Sequence, residues 1–431
     1  MIFQLAAWLL LALLAGKVAR LLGMPALVGM LFLGILFGRY SPELWMHPLG
    51  LSSLQSLAVS PDLLAMSSDF RTLALVVILL RAGLGIRRRE IVQVGRPAIL
   101  MSFLPALFEA SVLTLLIHHF LSWTWLESLL LSCVLAAVSP AVIVPRMLNL
   151  LKEGLGKVEA VPLVILASAS LDDLLAIICF GLVLNELMGQ GQMVLFGHVW
   201  LDGVVFSCVG LALGAALGWG SSRLIIYFRR HLKKTKLMKG LAMGDLEWSL
   251  LILCISLLIY SVKSIFLLPI CSLLGIMLLG FMLLESDPPF AKILSHHLHH
   301  FWTGAECMLF FMIGAEVDPR WLLELGGLGI LILSLGLIAR SFGVWISLSC
   351  SSFSWQEKLY CILSFIPKAT VQAAIGGVAL LNVQNGSLHL PGGPPVAEFI
   401  LAMAVLGIVV TAPLGAWAMD FFRPILLKRE G

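Results

Sequence analysis

Two adjacent aspartates, Asp172 and Asp173, stand inside an otherwise apolar run, LASASLDDLLAI, at 166–177. Carboxylates in such a run are costly to bury and mark function when they occur. Some thirty residues earlier, SPAVIVPRML carries two prolines, Pro140 and Pro145, around an apolar tetrapeptide. Prolines break the helix they sit in. A broken helix beside buried carboxylates is a candidate site for a small cation. Neighbours on a helix point about 100° apart, so the two aspartates cannot face one ion equally. One is expected to face the ion and the other a partner. A desolvated carboxylate resists ionisation, which lets Na⁺ and H⁺ compete for one group.

Other charges lie equally deep. Arg340 sits mid-run in LILSLGLIARSFGVWISL, and Glu109 sits in SFLPALFEASVLTLL. A guanidinium stays protonated and needs a carboxylate partner. Asp172, Asp173 and Glu109 are the candidates. Lys368 follows Pro367 in LSFIPKATVQAAI. Its charge can offset exposed helix-end carbonyls or keep a second cation away. Arg81, Glu316 and Asp318 lie near the ends of apolar runs and are read as structural pairs. The histidines of HHLHH, 296–300, lack Cys or carboxylate partners at ligand spacing and are read as an interfacial loop. No phosphate-binding loop or catalytic triad is present. An enzyme is not expected, nor a cofactor. Any transport is expected to run on an ion gradient.

The elements that must position these residues follow from composition. The 431 residues are 60% hydrophobic and 12% charged, against about half and a quarter in soluble domains. This is an all-α polytopic membrane protein, with room for about thirteen spans of roughly twenty residues. The candidate spans are 2–22, 24–39, 72–86, 97–119, 125–149, 157–187, 197–219, 247–263, 265–284, 301–316, 322–348, 356–381 and 396–421. The first run lacks the basic leader of a signal peptide and reads as a span. Lys and Arg collect in alternate loops: Arg87, Arg88, Arg89, Arg96, Arg146, Lys152, Lys157, the run 223–239, and Arg423, Lys428 and Arg429. By the positive-inside rule the N-terminus is outside and the C-terminus cytoplasmic. The eight cysteines show no paired spacing and read as buried thiols. The linker 40–71 is expected to carry a short interfacial helix, and 220–246 divides the chain into halves.

The halves repeat weakly. The span 356–381 is interrupted at Pro367, and polar Lys368, Thr370 and Gln372 follow at once. It lies seven spans after 125–149, so the two run in opposite directions. Two interrupted helices in corresponding, antiparallel places point to inverted repeats with two crossed broken helices, a transporter architecture.

The stretches VSPAVIVPRML at 138–148, ASASLDDLLAI at 167–177, RAGLGI at 81–86, FMIGAEVD at 311–318 and PKATVQAAIGGVAL at 367–380 carry a resemblance. The chain resembles the cation/proton antiporter superfamily, and most of all its NHA branch of sodium/proton antiporters. The resemblance implies exchange of Na⁺ or Li⁺ for H⁺ by elevator-like alternating access. It implies a homodimer in the plasma membrane, with lipid partners including an anionic lipid at the dimer interface, and no nucleic acid. It implies scaffold and dimerisation helices at 1–71 and 247–284. The ion-carrying core would be 72–187 and 285–431, joined by a linker helix and cytoplasmic loop at 188–246. Asp173 would be the principal ion ligand, with Asp172 and Ser139. Ser139, Pro140 and Pro145 would form the first crossover and Pro367, Lys368, Thr370 and Gln372 the second. Glu109 and Arg340 would be a salt-bridge or gate pair. Bacterial electrogenic members carry lysine where Arg340 falls, so here only carboxylates can cycle. A potassium/proton exchanger or efflux system and a sodium-coupled symporter for an organic solute are the alternatives of the same plan.

Overall fold

A computed structural model of the chain describes residues 2–43, 58–85, 88–153, 155, 161–188, 199–234, 244–266, 271–324 and 326–427. The side chains of Pro140, Pro145, Asp173 and Thr370 lie outside the described residues, as do 44–57 of the expected interfacial linker and 235–239 of the basic run.

The described chain is helical, as an apolar environment requires: without water, backbone groups must be satisfied within the segment. The helices are α1 (Ile2–Leu21), α2 (Ala26–Phe37), α3 (Pro61–Ala65), α4 (Ser67–Gly85), α5 (Arg88–Leu121), α6 (Trp125–Leu135), α7 (Pro140–Glu153), α8 (Val161–Leu187), α9 (Val199–Lys234), α10 (Asp245–Phe266), α11 (Ser272–Ser286), α12 (Pro288–Glu316), α13 (Pro319–Glu324), α14 (Gly326–Ser347), α15 (Trp355–Ser364), α16 (Thr370–Gln384) and α17 (Pro394–Leu426). Among the described residues, seven helices are long and apolar enough to cross a membrane. Several apolar helices are shorter, and the two interruptions are one reason. The 11 residues of α6 reach only about 16 Å, half of a roughly 30 Å hydrocarbon core.

The chain divides into two compact units. One comprises 1–71, 91–180 and 306–431, and the other 72–90 and 181–305. In the second unit, helices approach backbone to backbone at glycines. A Cβ on Gly83 of α4 would strike the Met277 carbonyl of α11, and one on Gly218 of α9 would strike that of Gly275. Arg229 pins the ends of this unit, pairing with Asp287 at 2.6 Å and Asp245 at 3.5 Å. The HHLHH segment is helical, part of α12, and not the expected loop. Leu294 and Leu298, one turn apart, are buried and carry the apolar stripe through it. His297 Nδ1 bonds Ser249 Oγ at 2.8 Å. No group of three or more metal-binding side chains occurs among the described residues.

The first unit holds both interruptions. Each begins with the same device. Thr124 and Glu127 form a capping box at α6, and Ser354 and Glu357 form one at α15. The two sequences, TWLE and SWQE, occupy matching places ten or so residues before their breaks. A capping box satisfies orphan N–H groups at a helix start and fixes where the half-helix begins.

The breaks fall at 136–139 and 365–369. The first differs from the sequence expectation of a break bracketed by Pro140 and Pro145. The α6 helix stops before Pro140, which becomes the first residue of α7, and Pro145 lies within that helix. The reason is steric. Proline disfavours helical conformation in the residue before it and is best tolerated at the first helical position, where no N–H is needed.

Candidate functional site

The two interruptions meet in a backbone contact: the Ser139 N–H donates to the Pro367 carbonyl at 2.9 Å. Where each helix stops, carbonyls are left without helical partners, and these must be satisfied where they are buried. Three consecutive carbonyls of the first break are met by side chains from the second half. Lys368 Nζ donates to Leu135 O, Arg340 Nη1 to Ala136 O, and Gln372 Nε2 to Ala137 O. Two of these donors are cations, which suits the partial negative charge at the C-terminal end of α6.

Both cations also hold acids. Arg340 Nη1 lies 2.7 Å from Glu109 Oε2, and its Nη2 lies 2.6 Å from Asp172 Oδ2. Lys368 Nζ lies 2.7 Å from Glu109 Oε1. All four side chains are buried. Two carboxylates and two cations therefore balance formally to zero. Neutrality of this kind is what allows charges to remain at membrane depth. Arg340 thus holds both Glu109 and Asp172. A lysine in its place would have to meet these acceptors from a single nitrogen, without the planar fork. The Phe365 ring lies 5.4 Å from the guanidinium carbon and adds a cation–π contact.

Helix packing admits these long side chains. On α14, Gly336 and Gly343 flank Arg340 on one face. A Cβ on Gly343 would sit 2.7 Å from Pro105 Cα of α5, and one on Gly336 would sit 2.8 Å from Leu113 Cδ2. Gly336, Arg340 and Gly343 therefore oppose Leu113, Glu109 and Pro105, two antiparallel helix faces in register. On α8, Ser168 lies one turn before Asp172; its Oγ stands 2.7 Å from Val164 O of its own helix and 3.1 Å from Ala98 O of α5. The aspartate-bearing and glutamate-bearing helices are thus in close contact one turn from Asp172.

Asp172 has a second anchor: the Val138 N–H of the first break donates to its Oδ2 at 3.1 Å. Among the described residues its Oδ1 has no hydrogen-bond partner, and neither has the buried Ser139 Oγ. Two oxygens without partners beside the crossing are atoms that a cation can use. Asp173 follows in α8, and its side chain lies outside the described residues, as do those of Pro140, Pro145 and Thr370. In the second break the Ala369 N–H donates to Gln372 Oε1 at 2.8 Å, so Gln372 bridges both interruptions.

Sequence reasoning missed Thr411 and Glu127. Thr411 Oγ1 on α17 accepts the Lys368 N–H at 2.9 Å. Nothing in the local sequence VLGIVVTAPLGA, 405–416, marks Thr411 apart from an ordinary apolar helix. Glu127 is buried and accepts the Gly392 N–H at 2.9 Å as well as its capping bonds. The repeated capping box was the available signal for Glu127. Elsewhere in this unit, Arg71 pairs with Glu316 at 2.7 Å. Glu316 lines a cavity of about 860 Å³ together with Arg39, Tyr40, Gln384 and Glu398.

Comparison with known proteins agrees with this architecture. The chain is 31% identical to sodium/hydrogen exchanger 9B1 of Homo sapiens over 369 residues, covering 84% of this chain and 67% of that protein. It is 32% identical to human sodium/hydrogen exchanger 9B2 over 371 residues, 84% of this chain and 65% of that one. It is 30% identical to the Xenopus tropicalis 9B2 protein, covering 100% of this chain and 75% of that protein. The solved structure of the sodium proton antiporter MjNhaP1 from Methanocaldococcus jannaschii superposes with a TM-score of 0.76 at 18% identity, covering 99% of this chain and 98% of that one, so the fold is shared. The family model for the transmembrane region of sodium/hydrogen exchangers matches residues 8–419, and the chain belongs to that family.

Proposed function

We propose that this chain is a secondary-active antiporter that exchanges Na⁺ or Li⁺ for H⁺ at Asp173. The observation that carries the reading is the pair of unpartnered buried oxygens, Asp172 Oδ1 and Ser139 Oγ, at the crossing. In this reading Asp173 loses its proton on the alkaline side and takes the dehydrated cation with those two oxygens. A proton displaces the cation after an elevator-like change of access. The carbonyls of 135, 136 and 137 already accept Lys368, Arg340 and Gln372. The ion therefore draws on side-chain oxygens more than on those backbone groups. Because Glu109 and Asp172 are matched by Arg340 and Lys368, Asp173 is the acid left to cycle.

The same reading makes the protein a homodimer in the plasma membrane, N-terminus outside and C-terminus cytoplasmic, with anionic lipid at the dimer interface. It needs no cofactor and performs no covalent chemistry. The test uses full-length protein in proteoliposomes carrying a pH-sensitive dye. Na⁺ or Li⁺ jumps should drive proton movement in the wild type and none in Asp173→Asn, with both proteins eluting alike on gel filtration. Unchanged proton movement in Asp173→Asn would overturn the assignment. Proton movement with K⁺ in place of Na⁺ and Li⁺ would reassign the cargo.

A further inference from the structure

We infer that Thr411 of α17 is a positioning residue for the transport site, setting the backbone of the second interruption so that Lys368 reaches Glu109. The inference rests on the antiport reading above and deepens it.

The N–H groups of the break can be followed one by one. Those of Phe365 and Ile366 turn back to Ile362 O and Leu363 O at 3.0 and 3.4 Å. Residue 367 is proline and has none. The Ala369 N–H goes to Gln372 Oε1. The Lys368 N–H alone in this segment is met by a side chain of another helix, Thr411 Oγ1, 43 residues away at 2.9 Å. Thr411 is buried, and its hydroxyl proton is already given to Gly407 O at 2.7 Å. The oxygen is therefore aimed as an acceptor at Lys368.

The surrounding face of α17 is shaped for the same segment. Gly407 and Gly415 lie one turn either side of Thr411. A Cβ on Gly415 would run into the Pro367 ring, and one on Gly407 would lie 3.8 Å from Lys368 Cδ. Pro367 and Lys368 thus seat on α17 with one hydrogen bond to fix them. That seat decides where Lys368 Nζ falls, and Lys368 Nζ holds both Glu109 Oε1 and the Leu135 carbonyl. Without the hydroxyl, the buried Lys368 N–H loses its partner, and a group so stranded moves to find another. Lys368 then leaves Glu109, and the charge balance that Arg340 shares with Asp172 changes.

The test compares wild type, Thr411→Val, Thr411→Ser, Gly415→Ala and Asp173→Asn in proteoliposomes. Half-saturating Na⁺, the pH profile of exchange and the melting temperature are measured for each. Thr411→Val keeps the shape and removes the acceptor. It should shift half-saturating Na⁺ by on the order of tenfold and displace the pH profile. Thr411→Ser should restore both. Gly415→Ala, which displaces Pro367 while keeping the hydroxyl, should shift them in the same sense and serves if Thr411→Val does not fold. A merely structural role would lower the melting temperature and maximal rate while leaving half-saturation and pH profile unmoved. That outcome in both Thr411→Val and Gly415→Ala overturns the inference. If Asp173→Asn is dead while the Thr411 variants match wild type, only this inference fails. If Asp173→Asn exchanges normally, the antiport reading itself fails.

Discussion

Arg340 Nη2 stands 2.6 Å from Asp172 Oδ2, 168 residues earlier in the chain. The other arm of the same guanidinium holds Glu109. One permanently charged group therefore binds two of the acids at the crossing, and Lys368 supplies the second cation.

The first prediction follows from this balance. With Glu109 and Asp172 matched by cations, one acid should cycle, and one Na⁺ should exchange for one H⁺. Solid-supported-membrane recordings should show no steady charge movement while a pH dye in the same vesicles reports exchange. A steady current would mean that a second acid gives up its proton.

Removing the guanidinium should be severe. Arg340→Met strands Asp172 and leaves Glu109 with Lys368 alone, and breaking a buried pair costs about 3–5 kcal/mol. Arg340→Lys keeps a charge but cannot fork, and should fall between Met and wild type. Arg340→Met with Asp172→Asn should melt higher than Arg340→Met alone, because the stranded charge is gone. A double-mutant cycle by thermal melting in detergent gives the coupling, expected at about 0.5–3 kcal/mol. A cycle that sums to zero would show the pair to be energetically idle.

Gly343→Val tests the packing that admits Arg340. The added Cβ falls on Pro105 Cα of α5, a backbone atom that cannot step aside. Overpacking of this kind costs about 1–3 kcal/mol. The variant should melt lower, and α5 should carry Glu109 away from Arg340, reducing exchange. Gly326→Ala, where a Cβ meets nothing within 4 Å, should leave both unchanged.

The two capping boxes should not be equal. Thr124→Ala and Ser354→Ala should each lose about 1 kcal/mol. Glu127→Gln should cost more than Glu357→Gln, because Glu127 is buried and also takes the Gly392 N–H ahead of α17. Melting temperatures of the four single variants check this order.

What the sequence alone determined is whatever depends on composition and on near neighbours. The apolar excess places the chain in a membrane, because no other solvent suits such a surface. Pro140 and Pro367 mark two interruptions, because a proline acts on its own helix and the residue before it. The quoted motif stretches identify the family. The HHLHH segment is helix and not loop because it continues the α12 face on which Leu294 and Leu298 are buried. What only the tertiary structure decided is which groups meet. Arg340 reaches Glu109 across 231 residues, Lys368 reaches the Leu135 carbonyl across 233, and Thr411 meets the Lys368 N–H across 43. Such contacts depend on helix faces brought together by glycines at 336 and 343, and on carbonyls freed where α6 stops. No local pattern encodes them, because a buried charge or an unpaired backbone group selects its partner by distance in space and not along the chain.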